Sequence, residues 1–135
     1  MKILLDTNIV LDLLLDRKPF SVDAQNIFTK VENNEIDGFL CPTTITTLFY
    51  LLGKHLGKQK SQEAIEILLE IFDVVTINKT ILLESLKNSG IDFEDSVIYT
   101  SASYADIDII ISRDKRGFKK SKVKTVTPEE FLLFI

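Results

Sequence analysis

The chain predicts an α/β fold built on a mainly parallel sheet of about four to five strands, and three observations carry that reading. Short apolar or β-branched runs alternate with longer segments of helical period, the pattern of strand–helix repeats. The run Ile107-Asp108-Ile109-Ile110-Ile111-Ser112 is apolar nearly throughout, which suits a strand covered on both faces. At 135 residues, 45% hydrophobic and 27% charged, the chain has the make-up of a soluble globular protein and the length of one domain, residues 1–135.

The first strand is Lys2–Leu5, and a helix follows over about 8–15, ended by Asp16-Arg17-Lys18-Pro19. Ser21 is the expected N-cap of a second helix reaching about Asn33, with Ala24, Ile27, Phe28 and Val31 at helical spacing. Gly38-Phe39-Leu40-Cys41 makes the second strand, stopped by Pro42. Thr43 or Thr44 then caps a helix whose apolar face holds Ile45, Leu48, Phe49, Leu52 and Leu56, with Gly57 at its stop. Ser61 opens the next helix, followed by the β-branched strand Val74-Val75-Thr76-Ile77. A helix over 79–88, a Ser89-Gly90 turn and a helix over 92–105 lead into the strand at 107–112. Lys124–Val126 is the last strand, and Thr127-Pro128-Glu129-Glu130 opens a terminal helix with proline in its first turn.

This layout places three distant acids together. Asp6 closes the first strand, Asp114 follows the 107–112 strand, and Asp95 lies in the first turn of the helix between. In open parallel sheets, ligands bind outside the carboxyl ends of the strands. Acids gathered there, with no basic residue beside Asp6 or Asp95, repel one another unless a divalent cation joins them. A hard cation such as Mg²⁺ takes oxygen ligands, typically one or two carboxylates plus substrate phosphates. The constellation therefore points to metal-dependent phosphodiester chemistry.

Each acid also has a structural use. Asp6 can cap the first helix, Asp92 and Asp95 stand as N-cap and N3 of a capping box, and Asp114-Lys115-Arg116-Gly117 suits a type I turn. Asp95 separates the two uses, because Ile98, Ala102 and Ala105 share its helical stripe and a carboxylate facing a core needs a partner. Glu94 reads as pointing elsewhere, into solvent. Asp12 reads as solvated or as a group behind the ligands. Asn8 can hold a phosphate or a bound water, and Ser112 can orient Asp114 or touch a phosphate.

Charge and composition narrow the field further. A net charge of −4 argues against gripping nucleic acid by electrostatics alone. Between Arg113 and Lys124, however, Arg113, Lys115, Arg116, Lys119, Lys120, Lys122 and Lys124 stand against the single acid Asp114. That run is either a solvated loop or a phosphate-tracking edge. One cysteine, Cys41, and one histidine, His55, exclude an internal disulfide, a zinc site and Cys–His catalysis. No apolar run approaches the roughly 18–20 residues of a membrane span. The opening residues turn acidic too soon for a signal peptide, so the expected location is the cytoplasm, with no membrane partner.

Three segments resemble the motifs of PIN-domain nucleases. Leu4-Leu5-Asp6-Thr7-Asn8-Ile9-Val10-Leu11-Asp12 is similar to the opening motif, Asp92-Phe93-Glu94-Asp95 to the third acidic motif, and Ser112-Arg113-Asp114-Lys115-Arg116-Gly117-Phe118 to the fourth. Order and spacing agree across the chain, and the likeness is greatest to small bacterial members that overlap the VapC-like toxins. The resemblance implies a Rossmann-like three-layer α/β/α sandwich and a Mg²⁺- or Mn²⁺-dependent endoribonuclease. By motif position, Asp6, Asp95 and Asp114 would be the catalytic, metal-binding acids, supported by Asn8 and Ser112. Arg113, Lys115, Arg116 and Lys119 would hold RNA phosphates. RNA is then the implied substrate, with an antitoxin protein and a second copy of the chain as candidate partners. Two positions depart from the family pattern: Thr47 stands where many members carry Glu, and Gly117 where many carry an acid. Those losses keep an alternative open, a catalytically weakened PIN fold that binds RNA or protein. A signalling receiver domain is disfavoured, because Ile77-Asn78-Lys79 offers no acid after the third strand. A haloacid-type phosphatase is disfavoured by Asn8, where its nucleophile motif needs a second Asp.

Overall fold

Alternation along two short strands decides how the layers form. Ile3 and Leu5 of β1 (Lys2–Leu5) enter one core, and Leu4 enters another on the opposite face. In β4 (Ile109–Ile111), Ile109 and Ile111 join the first core and Ile110 the second. Successive strand residues point to opposite faces, so a strand that is apolar at every position must be covered on both. The computed structural model describes residues 1–88, 90 and 92–135.

Between and after these strands lie α1 (Thr7–Leu14), α2 (Phe20–Glu32), β2 (Asp37–Leu40), α3 (Pro42–Leu56), α4 (Lys58–Ile71), β3 (Asp73–Val74), α5 (Lys79–Lys87) and α6 (Phe93–Tyr104). After β4 come β5 (Lys124–Val126) and α7 (Pro128–Leu133). All pairings are parallel, in the order β3-β2-β1-β4-β5. Ile9 and Val10 of α1, Ile27 of α2, Leu48 of α3, Leu68 of α4 and Phe131 of α7 cover one face. Val97, Ile98 and Ala102 of α6 cover the other, together with Phe118. This is the expected three-layer sandwich, with five strands among the described residues.

The sequence misplaces several helix starts. α2 begins at Phe20, and Ser21 lies inside it, its hydroxyl donating to Asp16 Oδ1 at 2.8 Å. α3 begins at Pro42, whose fixed φ and missing N–H suit a first helical position. Thr44 is thereby buried, and its hydroxyl meets that of Thr7 at 2.9 Å. Gly57, at φ +85°, ends α3, and α4 starts at the next residue. Ser61 therefore lies inside α4 and does not open it; its hydroxyl donates to the Gly57 carbonyl at 2.8 Å. β3 is shorter than expected because β2, the strand it pairs with, gives way to α3 at Pro42. Phe49 and Leu56, expected on the apolar face of α3, stay more than a third exposed. The expected Ser89-Gly90 turn includes Ser89, which lies outside the described residues.

Candidate active site

The strand order reverses between β1 and β4: the chain runs outward from β1 to β2 and β3, then returns to β1's other side. The crevice at such a reversal, beyond the carboxyl ends of the strands, is where doubly wound sheets bind ligands. Asp6 leaves β1 there and Ser112 leaves β4 beside it, joined through Asp6 N–H donating to the Ile111 carbonyl at 3.0 Å.

Asp6 is only 4% exposed. Its Oδ1 accepts from the Thr7 N–H at 2.8 Å, capping α1, and its Oδ2 accepts from the Ser112 hydroxyl at 2.8 Å. Ser112 in turn accepts from the Asp114 N–H at 3.0 Å. Ser112 thus orients Asp6 through its hydroxyl and holds Asp114 by the backbone, whereas the sequence suggested the Asp114 carboxylate. Burial raises the pKa of Asp6; the Ser112 and Thr7 bonds oppose this, and the charges of Glu94 and Asp114 add to it.

Asp95 sits at the head of α6, where Asp92 caps the helix by accepting from the N–H groups of Glu94 and Asp95 at 2.7 and 3.2 Å. The capping-box use of the Asp95 side chain is not realised. Its carboxylate instead turns toward the β4 exit and accepts no hydrogen bond among the described residues. Partial burial, then the charges of Asp6, Asp92, Asp114 and Glu94, push its pKa up to about 7. A Cβ placed on Gly117 would overlap Asp95 Oδ2 and stand 3.0 Å from Asp114 Oδ2. The two carboxylates therefore reach into the space that glycine leaves open. Asp114 also accepts the Gly117 N–H at 3.2 Å, closing the expected turn.

Glu94 is the acid that sequence reasoning missed. It is half-buried rather than solvated, and the Thr47 hydroxyl donates to its Oε1 at 3.3 Å. Its charge acts on both Asp6 and Asp95. The departure at Thr47 therefore leaves the crevice with a carboxylate after all, delivered from α6 instead of α3. The only available signal was the adjacency of Glu94 to Asp95 in one helical turn.

Asp12 and Arg113 meet across the fold. Of the two readings of Asp12, burial selects the group behind the ligands: it is 1% exposed, held by Arg17 at 2.9 Å and by Arg113 at 2.7 and 3.1 Å. Arg113 also lies over the Phe20 ring at 3.9 Å, so its guanidinium ties β4's exit to α1 and α2. Lys115 pairs with Glu130. Arg116 and Lys119 form no ion pair among the described residues and stay at the surface. Asn8 is exposed at the mouth of the crevice, near Arg17, whose Nη2 donates to its backbone carbonyl at 3.2 Å.

The acids converge electrostatically, yet among the described residues no three His, Cys, Asp or Glu side chains are grouped to hold one ion. Asp6, Asp95 and Asp114 do not close as three direct ligands on a single ion in this arrangement. The donor set still suits a hard cation, being all carboxylate oxygen, with Asp95 accepting no hydrogen bond among the described residues and the Asp95 and Asp114 oxygens both reaching over Gly117. Mg²⁺ commonly uses one or two carboxylates and completes its shell with water and phosphate.

Known proteins share this architecture. A protein named Ribonuclease VapC1, from Aquifex aeolicus (strain VF5), is 29% identical over 139 residues, covering 96% of this chain and 92% of that protein. The structure of VapBC-1 from nontypeable Haemophilus influenzae superposes with a TM-score of 0.73 at 21% identity, covering 96% of this chain and 99% of that one. A toxin–antitoxin complex from Klebsiella pneumoniae gives 0.69 at 20% identity, covering 93% and 96%. The PIN domain family model matches residues 2–116. Because that match runs from the first strand through the turn that holds Asp114, this chain belongs to the PIN domain family.

Proposed function

We propose that this protein is a Mg²⁺- or Mn²⁺-dependent endoribonuclease, the toxin of a toxin–antitoxin pair. The observation that carries the reading is the Asp95 carboxylate. It accepts no hydrogen bond among the described residues, is lifted to a pKa of about 7 by burial and by neighbouring acids, and reaches with Asp114 into the space beside Gly117 that a side chain would fill. Such a group would be ionised at neutral pH by a cation placed beside it. The ribonuclease name of the relative from Aquifex aeolicus supports RNA as the substrate, and the toxin–antitoxin complex of shared fold supports the partner.

When bound, a hard divalent ion supplies a water of lowered pKa and offsets charge on the phosphate. The chain's own residues do the rest. Ser112 and the Thr7 N–H fix Asp6 in one orientation, leaving the remaining lone pairs of its oxygens for the site. Asp95 and Asp114 present oxygens over Gly117. Glu94, anchored on Thr47, adds a fourth negative charge. Arg116 and Lys119, at the rim, would steady phosphates flanking the cleaved bond. Asn8 at the mouth would hold a substrate oxygen.

Asp6→Asn keeps the size and most of the hydrogen bonding of the side chain, so the fold survives. Loss of several kcal/mol of metal-supplied stabilisation corresponds to a fall in cleavage of roughly 10³-fold or more. Incubating purified protein and this variant with mixed RNA, with and without Mn²⁺, reads the result. Cleavage that persists in the variant or in chelator excludes the mechanism. Lysine-dependent RNA binding with no cleavage by the unaltered protein would instead select the second reading, a PIN fold that binds without cutting. The loose grouping of the acids is what favours that reading.

A further inference from the structure

A cleft of about 580 Å³ opens between α5, α6 and the segment that follows Asp114. It is separate from the acidic crevice: none of Asp6, Glu94, Asp95 or Asp114 lines it. Its size falls within the range of small-molecule sites. Lys87, Lys120 and Lys122 line it against one acid, Glu84. None of the three lysines forms an ion pair among the described residues. In a chain of net charge −4, that local excess of positive charge stands out.

The cationic run after β4 divides accordingly. Arg113 is held by Asp12, Lys115 by Glu130, and Lys124 lies over the Phe134 ring. Arg116 and Lys119 remain at the rim of the acidic crevice, while Lys120 and Lys122 turn into the cleft. Tyr104 supplies a flat face: the residue is 54% exposed and lies on the cleft wall beside Glu84. Tyr99 and Thr100 of α6 line the same wall. Tyr104 lies nine residues beyond Asp95 on one helix, about 13 Å along its axis. A strand entering the acidic crevice would cover that span in roughly two to four nucleotides, given about 3.4 Å per stacked nucleotide and more when stretched.

We propose that this cleft binds a nucleotide of single-stranded RNA flanking the cleaved bond, its base stacked on Tyr104 and its phosphates held by Lys87, Lys120 and Lys122. The inference rests on the ribonuclease reading and extends it to substrate capture. Single-stranded sites combine a basic groove with aromatic faces, because every base has a face to stack and every nucleotide a phosphate.

The test measures fluorescence anisotropy of a labelled ten-nucleotide RNA and a three-nucleotide RNA in the Asp6→Asn background, across a salt series. The cleft variant is Lys87→Ala/Lys120→Ala/Lys122→Ala; Lys58→Ala/Lys60→Ala/Lys79→Ala makes the same charge change on the surface elsewhere. The cleft variant should weaken binding of the long RNA and reduce its salt slope by about 0.7 for each phosphate no longer neutralised. The surface variant should leave both near their starting values. Tyr104→Ala should weaken long-RNA binding about tenfold, with the slope unchanged. Equal effects of the two triple variants, or none from either, overturn the cleft. The unaltered protein separates the two readings. If it cuts RNA but the lysine variant cuts long and short substrates as well as before, the cleft fails alone. If it binds long RNA through the cleft lysines yet never cuts, the ribonuclease reading fails and the cleft stands.

Discussion

Asp95 and Gly117 form the most informative pair of residues. An acid whose pKa rises on folding keeps its proton where the unfolded chain has released it. Stability from that group is therefore full below about pH 4 and declines as pH climbs toward about 7. In chelator, the melting temperature should fall between pH 5 and pH 8, and part of that fall should vanish in Asp95→Asn. The variant should melt a few degrees above the unaltered protein at pH 8 and level with it near pH 4. Parallel melting profiles for the two proteins would refute the assignment. Asp6, raised in the same direction, keeps some of the slope in either case. Gly117→Ala adds one methyl group into the space that Asp95 Oδ2 occupies. Displacing that short side chain should lower cleavage about tenfold, while a change in melting temperature beyond a few degrees would mark a packing defect instead. The acids themselves were legible in sequence. The role of Glu94 was not, because its anchor, Thr47, lies 47 residues away.

At the scale of elements, Asp12 joins three pieces of the chain. It lies on α1, takes Arg17 from the following loop, and takes Arg113 from the β4 exit 101 residues later. Asp12→Ala leaves two arginines without their shared partner beneath the surface, and should cost about 2 kcal/mol, read by denaturant unfolding. Arg113→Lys should restore little, since a lysine cannot reproduce the two-point pairing. A loss below about 0.5 kcal/mol in Asp12→Ala would show the network to be ornamental. Local signals served well where a cap and its helix lie side by side. Thr127, Pro128 and Glu130 form the capping box that opens α7, and Asp92 caps α6. They failed at Ser21 and Ser61, where a hydroxyl of the preferred type sits inside the first turn and bonds backward to the preceding loop. Propensity marks the neighbourhood of a helix start and does not choose among adjacent candidates.

For the whole molecule, the acids are arranged to meet in charge before they meet in coordination. Neighbouring carboxylates raise both Asp6 and Asp95 at the β1–β4 reversal, yet no three acids are grouped to hold an ion among the described residues. On the proposed reading, the ion binds weakly alone and more tightly once RNA phosphate supplies the missing oxygens. Calorimetric titration of Mn²⁺ into the Asp6→Asn protein and the unaltered protein, each with and without a non-cleavable RNA, measures this. Tight binding of Mn²⁺ by the unaltered protein without RNA would count against it.

By itself, the sequence determined the α/β class, the alternating elements, and the three acids that fall at strand ends, because those features are written in local periodicity and spacing. Tertiary structure alone decided that β4 returns beside β1, that Ser112 steadies Asp6 from 106 residues away, and that Arg113 serves Asp12. It also decided that Thr47 brings Glu94 into the crevice. Each of these joins residues distant along the chain, and no local pattern specifies which of several exposed or polar groups will meet once the sheet has closed over its two cores.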